Sequence, residues 1–171
     1  EEGERIPLTI ADYDAKEGWV TIVTQTVGFS TKKLCSMNVG DQLADFAGPL
    51  GRPSDFVKED PEVLRSKKIL FVAGGVGTAP VYPQVKWLSE HGVKADVIIG
   101  AKNKDTLIFV DKMKAVAGNV YIATDDGSEG FHGMVTDLMR YLIDKEGKKY
   151  DEVIAIGPMI MMKFVCLLTK K

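Results

Sequence analysis

The run Ile69-Leu70-Phe71-Val72-Ala73-Gly74-Gly75-Val76-Gly77-Thr78-Ala79-Pro80 holds the residues best suited to chemistry. Its apolar start reads as a short strand buried on both faces, as in a parallel sheet. The glycines that follow let the backbone turn sharply and approach a ligand with no Cβ in the way. Pro80, with its preset φ and no N–H, suits the first turn of a helix. Tyr82, Val85, Trp87 and Leu88 continue at helical spacing. A strand, a glycine turn and a helix start together make a phosphate site, because unpaired N–H groups and the helix dipole favour an anion. In the dinucleotide fingerprint G-x-G-x-x-G the third glycine is here Pro80. No Lys-Ser/Thr pair follows, which removes a P-loop reading. A glycine turn that only packs a helix tightly on a sheet would use the same residues.

The elements around this stretch change character along the chain. Residues 7–12 and 19–25 are strand-like, and residues 13–18 supply turn chemistry between them. Gly28-Phe29-Ser30-Thr31 follows, with Ser30 or Thr31 as N-cap of one or two helical turns over residues 32–37. A third strand is expected at residues 42–47, closed by Gly48-Pro49-Leu50-Gly51. Residues 52–66, with Pro53, Pro61 and mixed charge, read as a linker. From Lys67 strands and helices alternate: strands at 97–99, 120–123 and 153–156, and helices at 107–117, 135–143 and from Met159. Such alternation predicts a parallel, doubly wound sheet with ligands at the carboxyl ends of its strands. Counting the strand before Gly74, glycine-rich or Gly-Pro loops follow three of the four strands, the 97–99 strand ending instead at Gly100-Ala101, and that convergence favours a binding site over packing alone. The fold class is thus α/β plus all-β, with residues 1–65 forming part of an antiparallel barrel and linker, and 66–171 the nucleotide-binding α/β domain.

Composition narrows the partners. The chain has 171 residues, 45% apolar and 27% charged, ordinary for a globular protein with a real core. A net charge of −2 leaves no footprint for nucleic acid or an anionic membrane. Cys35 and Cys166 suggest neither a disulfide framework nor a metal site, and suit a reducing cytoplasm. No apolar run reaches membrane-spanning length, and no signal peptide is visible. A start at Glu1 and an end at Lys171 within a helical pattern mark the chain as an excerpt of a longer protein, with barrel strands expected upstream.

Five segments together resemble the ferredoxin–NADP reductase superfamily: Arg5 to Ile10, Gly28 to Thr31, Gly48 to Gly51, Gly74 to Pro80, and Gly157-Pro158-Met159. Thr124 to Ser128 and the string ERIPLTIADYD are most similar to the group holding the dihydroorotate dehydrogenase electron-transfer subunit, the small subunit of NADH-dependent ferredoxin–NADP oxidoreductase, and sulfide dehydrogenase. The resemblance covers nearly the whole chain. It implies an FAD-binding barrel followed by a pyridine-nucleotide domain.

In that family the barrel motif is Arg-x-(apolar or aromatic)-Ser/Thr, with the arginine on the FAD phosphates and the hydroxyl near flavin N5. Thr9 matches the hydroxyl and Leu8 the residue before it. The arginine position falls on Ile6, with Arg5 one residue early, and Pro7 completes the segment. The resemblance places Gly28, Ser30 and Thr31 at the FAD pyrophosphate, and Gly75, Gly77, Thr78 and Asp125 at the nucleotide. Gly157, Pro158 and Met159 match a Cys-Gly-Pro-x-x-Met segment beside the nicotinamide, with Ile156 in place of the cysteine. His132 has no catalytic part.

The activity so implied is transfer of hydride from NAD(P)H to FAD, with Thr9 orienting flavin N5 and no general base. Electrons would pass on to a [2Fe–2S] cluster or a larger redox partner subunit. The cluster is expected outside this segment, because two cysteines cannot supply four ligands. A stand-alone NAD(P)H–flavin reductase and a non-redox nucleotide-binding module remain as alternatives. NAD versus NADP stays open: Lys102 and Lys104 could meet a 2′-phosphate, and no acidic residue ends the 97–99 strand to favour NAD.

Overall fold

The computed structural model describes residues 4–170. Strands β1 (Ile10–Asp14) and β2 (Trp19–Ile22) form an antiparallel hairpin. Asp14 shapes its turn, its Oδ1 accepting from the N–H groups of Lys16 at 2.8 Å and Glu17 at 3.0 Å. Ile10 pairs with Ile22 and Asp12 with Thr21, so β1 carries one extra residue, Ala11, as a bulge. The bulge breaks the in–out alternation and buries two consecutive side chains, Ala11 and Asp12.

Helix α1 (Phe29–Cys35) starts earlier than expected, with Gly28 rather than Ser30 or Thr31 at its N-cap. Two other expectations for this region fail. Residues 42–47 form no strand among the described residues; Leu43 and Phe46 are exposed, leaving no buried face to hold a third strand in place. Residues 52–66 are not a bare linker. A 3-10 turn (Asp55–Lys58) and helix α2 (Pro61–Ser66) bury Phe56 and Leu64 in the main core, where Phe56 lies 5.7 Å from Trp87, centroid to centroid. Asp60 caps α2, its carboxylate accepting from the N–H groups of Glu62 and Val63.

The rest is a five-stranded parallel sheet: β3 (Ile69–Gly74), β4 (Asp96–Ala101), β5 (Val120–Thr124), β6 (Phe131–His132) and β7 (Glu152–Ile156), in the order β6-β5-β4-β3-β7. The two-residue edge strand β6 lies inside what the sequence reads as a glycine-rich loop. Period-two alternation splits the core into layers. Ile69, Phe71 and Ala73 join Val97 and Ile99 under helices α3 (Thr78–Glu90) and α4 (Val110–Val116). Leu70 and Val72 join Ile98 under α5 (Val135–Arg140, continuing as a π turn to Lys145) and α6 (Met159–Thr169). Helix α4 is shorter than predicted because Phe109, at φ +58°, interrupts its first turn.

The amino ends of the strands carry polar networks that brace the sheet. Lys67 bridges Glu59 and Glu152, and Asp96 accepts from Asn119 at 2.8 Å and from the Tyr150 hydroxyl at 2.9 Å. Burial and the bond to Asp96 push the Tyr150 phenol well above its ordinary value. The carboxyl ends are instead built of glycine loops.

Candidate functional site

Strand order places the site. From β3 the chain steps outward through β4, β5 and β6, then returns to β7 on the other side of β3. At such a reversal the two connections leave in opposite directions, and a crevice opens at the carboxyl ends of the two strands. Here those ends are Gly74-Gly75-Val76-Gly77 and Gly157-Pro158-Met159. The sequence expectation that these segments converge is met, since Gly74 and Gly157 sit backbone to backbone. A Cβ added at Gly157 would lie 3.1 Å from both Gly74 N and Gly74 Cα.

Two glycines of the loop do different work. Gly77 is buried, and a Cβ there would sit 2.8 Å from the Ile156 carbonyl carbon and 3.0 Å from Gly157 Cα, closer still to the carbonyl oxygen. Its missing side chain serves the seam between the β3 and β7 tips rather than open space. Gly75 holds φ at +55°, and apart from its own chain neighbours no described atom lies within 4 Å of a Cβ built there. Open space beside a left-handed glycine is what close approach of a ligand to backbone requires. Thr78 is fully buried, and its hydroxyl donates to Gly75 O at 2.9 Å, fixing the turn rather than facing outward. Helix α3 begins at Thr78 with no acidic residue in its first turn, so its positive end meets the crevice uncompensated. Met159 is 82% exposed on the opposite rim.

Asp125 lies further along the same edge, after β5. The N–H groups of Asp125 and Asp126 donate to Ala101 and Lys102 carbonyls at 3.1 and 3.2 Å, folding this loop over the end of β4. Buried Thr124 organises it: the hydroxyl donates to Glu129 O at 2.8 Å and accepts from Glu129 N at 3.1 Å. Ser128 holds the Asp126 carboxylate, its hydroxyl donating at 2.6 Å, which keeps that carboxyl below its ordinary value.

The residues expected to meet FAD lie just ahead of β1 and at the start of α1. Pro7 and Thr9 are exposed and Leu8 half-buried just ahead of β1. Exposed Arg5 pairs with Asp45, so an anion at Arg5 competes with that carboxylate. The Thr31 hydroxyl is engaged within its own turn, accepting from the N–H groups of Val27 and Gly28, both at 3.0 Å. Two N–H groups near the expected pyrophosphate segment are therefore already satisfied, and Ser30 is half-buried beside them.

Sequence reasoning missed Asp12. It is 3% exposed and ion-paired with Lys86 of α3 at 2.8 Å and Lys112 of α4 at 2.7 Å. The one available signal was an acid inside a strand-like run, Ile10-Ala11-Asp12-Tyr13, where alternation alone does not announce a bulge.

Residues 71–167 match the family described as "Oxidoreductase NAD-binding domain". The chain belongs to this family. A Clostridium beijerinckii relative, "Uncharacterized protein in adh 3'region", is 60% identical over all of this chain and 58% of its own length. The "Dihydroorotate dehydrogenase B (NAD(+)), electron transfer subunit homolog" of Thermotoga maritima is 44% identical over 98% of this chain and 56% of its own. A solved structure of NADH-dependent reduced ferredoxin-NADP oxidoreductase, studied for flavin-based electron bifurcation, superposes with a TM-score of 0.83 at 39% identity, covering 98% of this chain and 57% of that one. The chain thus spans 56–58% of the length of these relatives. The resemblance to the ferredoxin–NADP reductase superfamily, and within it to the dihydroorotate dehydrogenase electron-transfer group, is borne out. Among the described residues no helix is long and apolar enough to cross a membrane.

Proposed function

We propose that the chain is the catalytic part of a flavoprotein electron-transfer subunit that takes hydride from NAD(P)H onto FAD. One observation carries the reading: at the β3/β7 switch point Gly74 packs against Pro158, and the next residue, the left-handed Gly75, opens onto free space just ahead of α3. FAD, when bound, supplies a two-electron acceptor at N5 that can release electrons one at a time.

The residues at the crevice fit the dinucleotide, while on the flavin side Arg5 would have to exchange Asp45 for a phosphate. The Gly75 turn and the first turn of α3 hold the dinucleotide pyrophosphate, with Thr78 keeping that turn closed from within. Gly157, Pro158 and Met159 form the wall for the nicotinamide, and Gly77 sets how near that wall stands to the loop. Asp125 sits farther along the edge, toward the adenosine half. Arg5, Pro7, Leu8, Gly28, Ser30 and Thr31 would hold FAD, and the exposed Thr9 hydroxyl would orient flavin N5. Bringing the two rings into stacked contact is the main contribution asked of the protein, and no general base is needed.

A [2Fe–2S] cluster does not fit this chain, which has two cysteines and, among the described residues, no group of three or more metal-ligating side chains. Electrons would leave through a cluster or a larger partner subunit beyond this segment, in keeping with relatives named as electron-transfer subunits. The two exposed free thiols suit a cytoplasmic setting.

The test is anaerobic mixing of the flavin-loaded protein with NADH, followed by flavin absorbance. Bleaching of the flavin within the mixing experiment supports the reading. Tight NADH binding without bleaching would leave a non-redox nucleotide-binding module. Rapid reduction of added free flavin, with no need of a partner, would make it a stand-alone reductase.

A further inference from the structure

The one charged side chain of the hairpin buried in the described structure does not belong to the dinucleotide crevice, yet it ties the two halves of the site together. Asp12 lies on β1, three residues after Thr9, which immediately precedes that strand. Its Oδ1 accepts from Lys86 Nζ at 2.8 Å and from Tyr13 N at 2.9 Å, and its Oδ2 accepts from Lys112 Nζ at 2.7 Å. Lys86 also donates to Tyr13 O at 3.0 Å and lies 5.0 Å from the centre of the Tyr13 ring. Lys112 lies 5.7 Å from the centre of the Tyr82 ring and 5.3 Å from that of Phe109. Both carboxylate oxygens are therefore used, on one strand residue, by one lysine from each of two helices.

Those helices are not arbitrary. Helix α3 is the one whose first turn, at Thr78, closes the glycine loop. Lys86 is eight residues on, about 12 Å down the same helix at 1.5 Å per residue. We infer that Asp12, with Lys86 and Lys112, is an inter-element clamp that fixes β1, and with it the adjoining Thr9, against α3, the helix that closes the glycine loop, making Asp12 a positioning residue for ring-to-ring hydride transfer. The Ala11 bulge is part of the device, since a regular strand would not bury Ala11 and Asp12 together. The catalytic part of this inference rests on the hydride-transfer reading above; the clamp itself rests only on the ion pairs.

A buried carboxylate shared by two ammonium groups is a directional restraint: moving α3 against β1 breaks charge-assisted bonds that water does not readily replace. Hydride transfer is steep in donor–acceptor geometry, with about 100-fold lost for roughly 1 Å of misplacement. Neither lysine reaches the crevice, so NADH affinity should hardly notice the clamp.

Asp12→Asn keeps shape and removes charge, and Asp12→Ala removes both. In the flavin-loaded protein, with Cys35 and Cys166 replaced by serine, spin labels at Lys16→Cys on the hairpin turn and Arg140→Cys on α5 report the distance between the two parts. Wild type should give one narrow distance distribution, and both variants a broader or shifted one. Well below the unfolding temperature, both should slow flavin reduction by NADH at least about 10-fold. FAD content and NADH affinity should stay within about 3-fold, and the long-wavelength flavin–nicotinamide charge-transfer band should weaken. A narrow distribution and an unchanged rate in Asp12→Asn would overturn the clamp. A broadened distribution with an unchanged rate would overturn the positioning role. A wild type that binds NADH but never reduces its flavin would overturn the functional reading and with it the positioning role, while the distance distributions still decide the clamp.

Discussion

Gly75 and Gly77 stand two residues apart in one loop, and the structure assigns them opposite duties that a pair of substitutions can separate. Gly75→Asn puts a side chain into space that is empty of described atoms, in a left-handed backbone conformation that asparagine tolerates better than most residues. Its stability cost should be about 1 kcal/mol, which for a chain of this size lowers Tm by about 2–4 °C. The new side chain stands where the pyrophosphate must approach backbone, so NADH should bind at least about 10-fold more weakly, or about 1.4 kcal/mol. Gly77→Ala instead drives a methyl group to within 2.8 Å of the Ile156 carbonyl carbon and 3.0 Å of Gly157 Cα, both backbone atoms that cannot rotate aside. Overpacking of this kind costs about 1–3 kcal/mol, equivalent to a fall of about 2–12 °C in Tm. Thermal unfolding without ligand and NADH titration by fluorescence measure the two effects separately. Unchanged NADH affinity in Gly75→Asn would refute the placement of the dinucleotide at this turn. An unchanged Tm in Gly77→Ala would refute the packing argument for the seam.

Thr9→Val should leave FAD bound and slow flavin reduction in stopped flow; a rate equal to wild type would leave Thr9 no part in the reaction. Phe56→Ala should cost about 3–5 kcal/mol in denaturant unfolding, because Phe56 is 3% exposed and packs on Trp87; a loss under about 1 kcal/mol would return residues 52–66 to the status of a linker. Burial pushes the Asp12 carboxyl up, but the bonds from Lys112, Lys86 and the Tyr13 N–H outweigh it and hold it below the ordinary 3.8. A depressed folded-state value contributes stability above the unfolded one and loses it as pH falls through the folded value. Lys86, raised above 10.5 chiefly by its bond to Asp12, keeps its contribution until strongly alkaline pH. The Tm difference between wild type and Asp12→Asn should therefore be flat from about pH 5 to about pH 9 and shrink under more acid or strongly alkaline conditions; a steep change near neutrality would contradict the ion pairing.

Local chemistry was enough to announce the parallel sheet. Five apolar residues before Gly74, glycines after the strands, and the i, i+3, i+4 spacing of Val135, Leu138 and Met139 depend on nearest neighbours along the chain, and sequence records those directly. The same holds for the glycine turn and for Gly157-Pro158, whose backbone demands are written in their residue types. What sequence could not supply was anything created by contact between distant segments. Residues 52–66 look like a linker because Pro and charge dominate them, and only the approach of α3 gives Phe56 a core to enter. Residues 42–47 have strand-like composition, but a strand needs a paired edge and a buried face, and the described chain offers neither. Gly75 and Gly77 are alike in sequence, and they part company only when β7, arriving from beyond β6, lays Ile156 against one and leaves the other facing open space. Asp12 shows the same limit most sharply: an acid in a strand reads as a solvated charge until a bulge turns it inward and two helices, 74 and 100 residues away, each bring it a lysine.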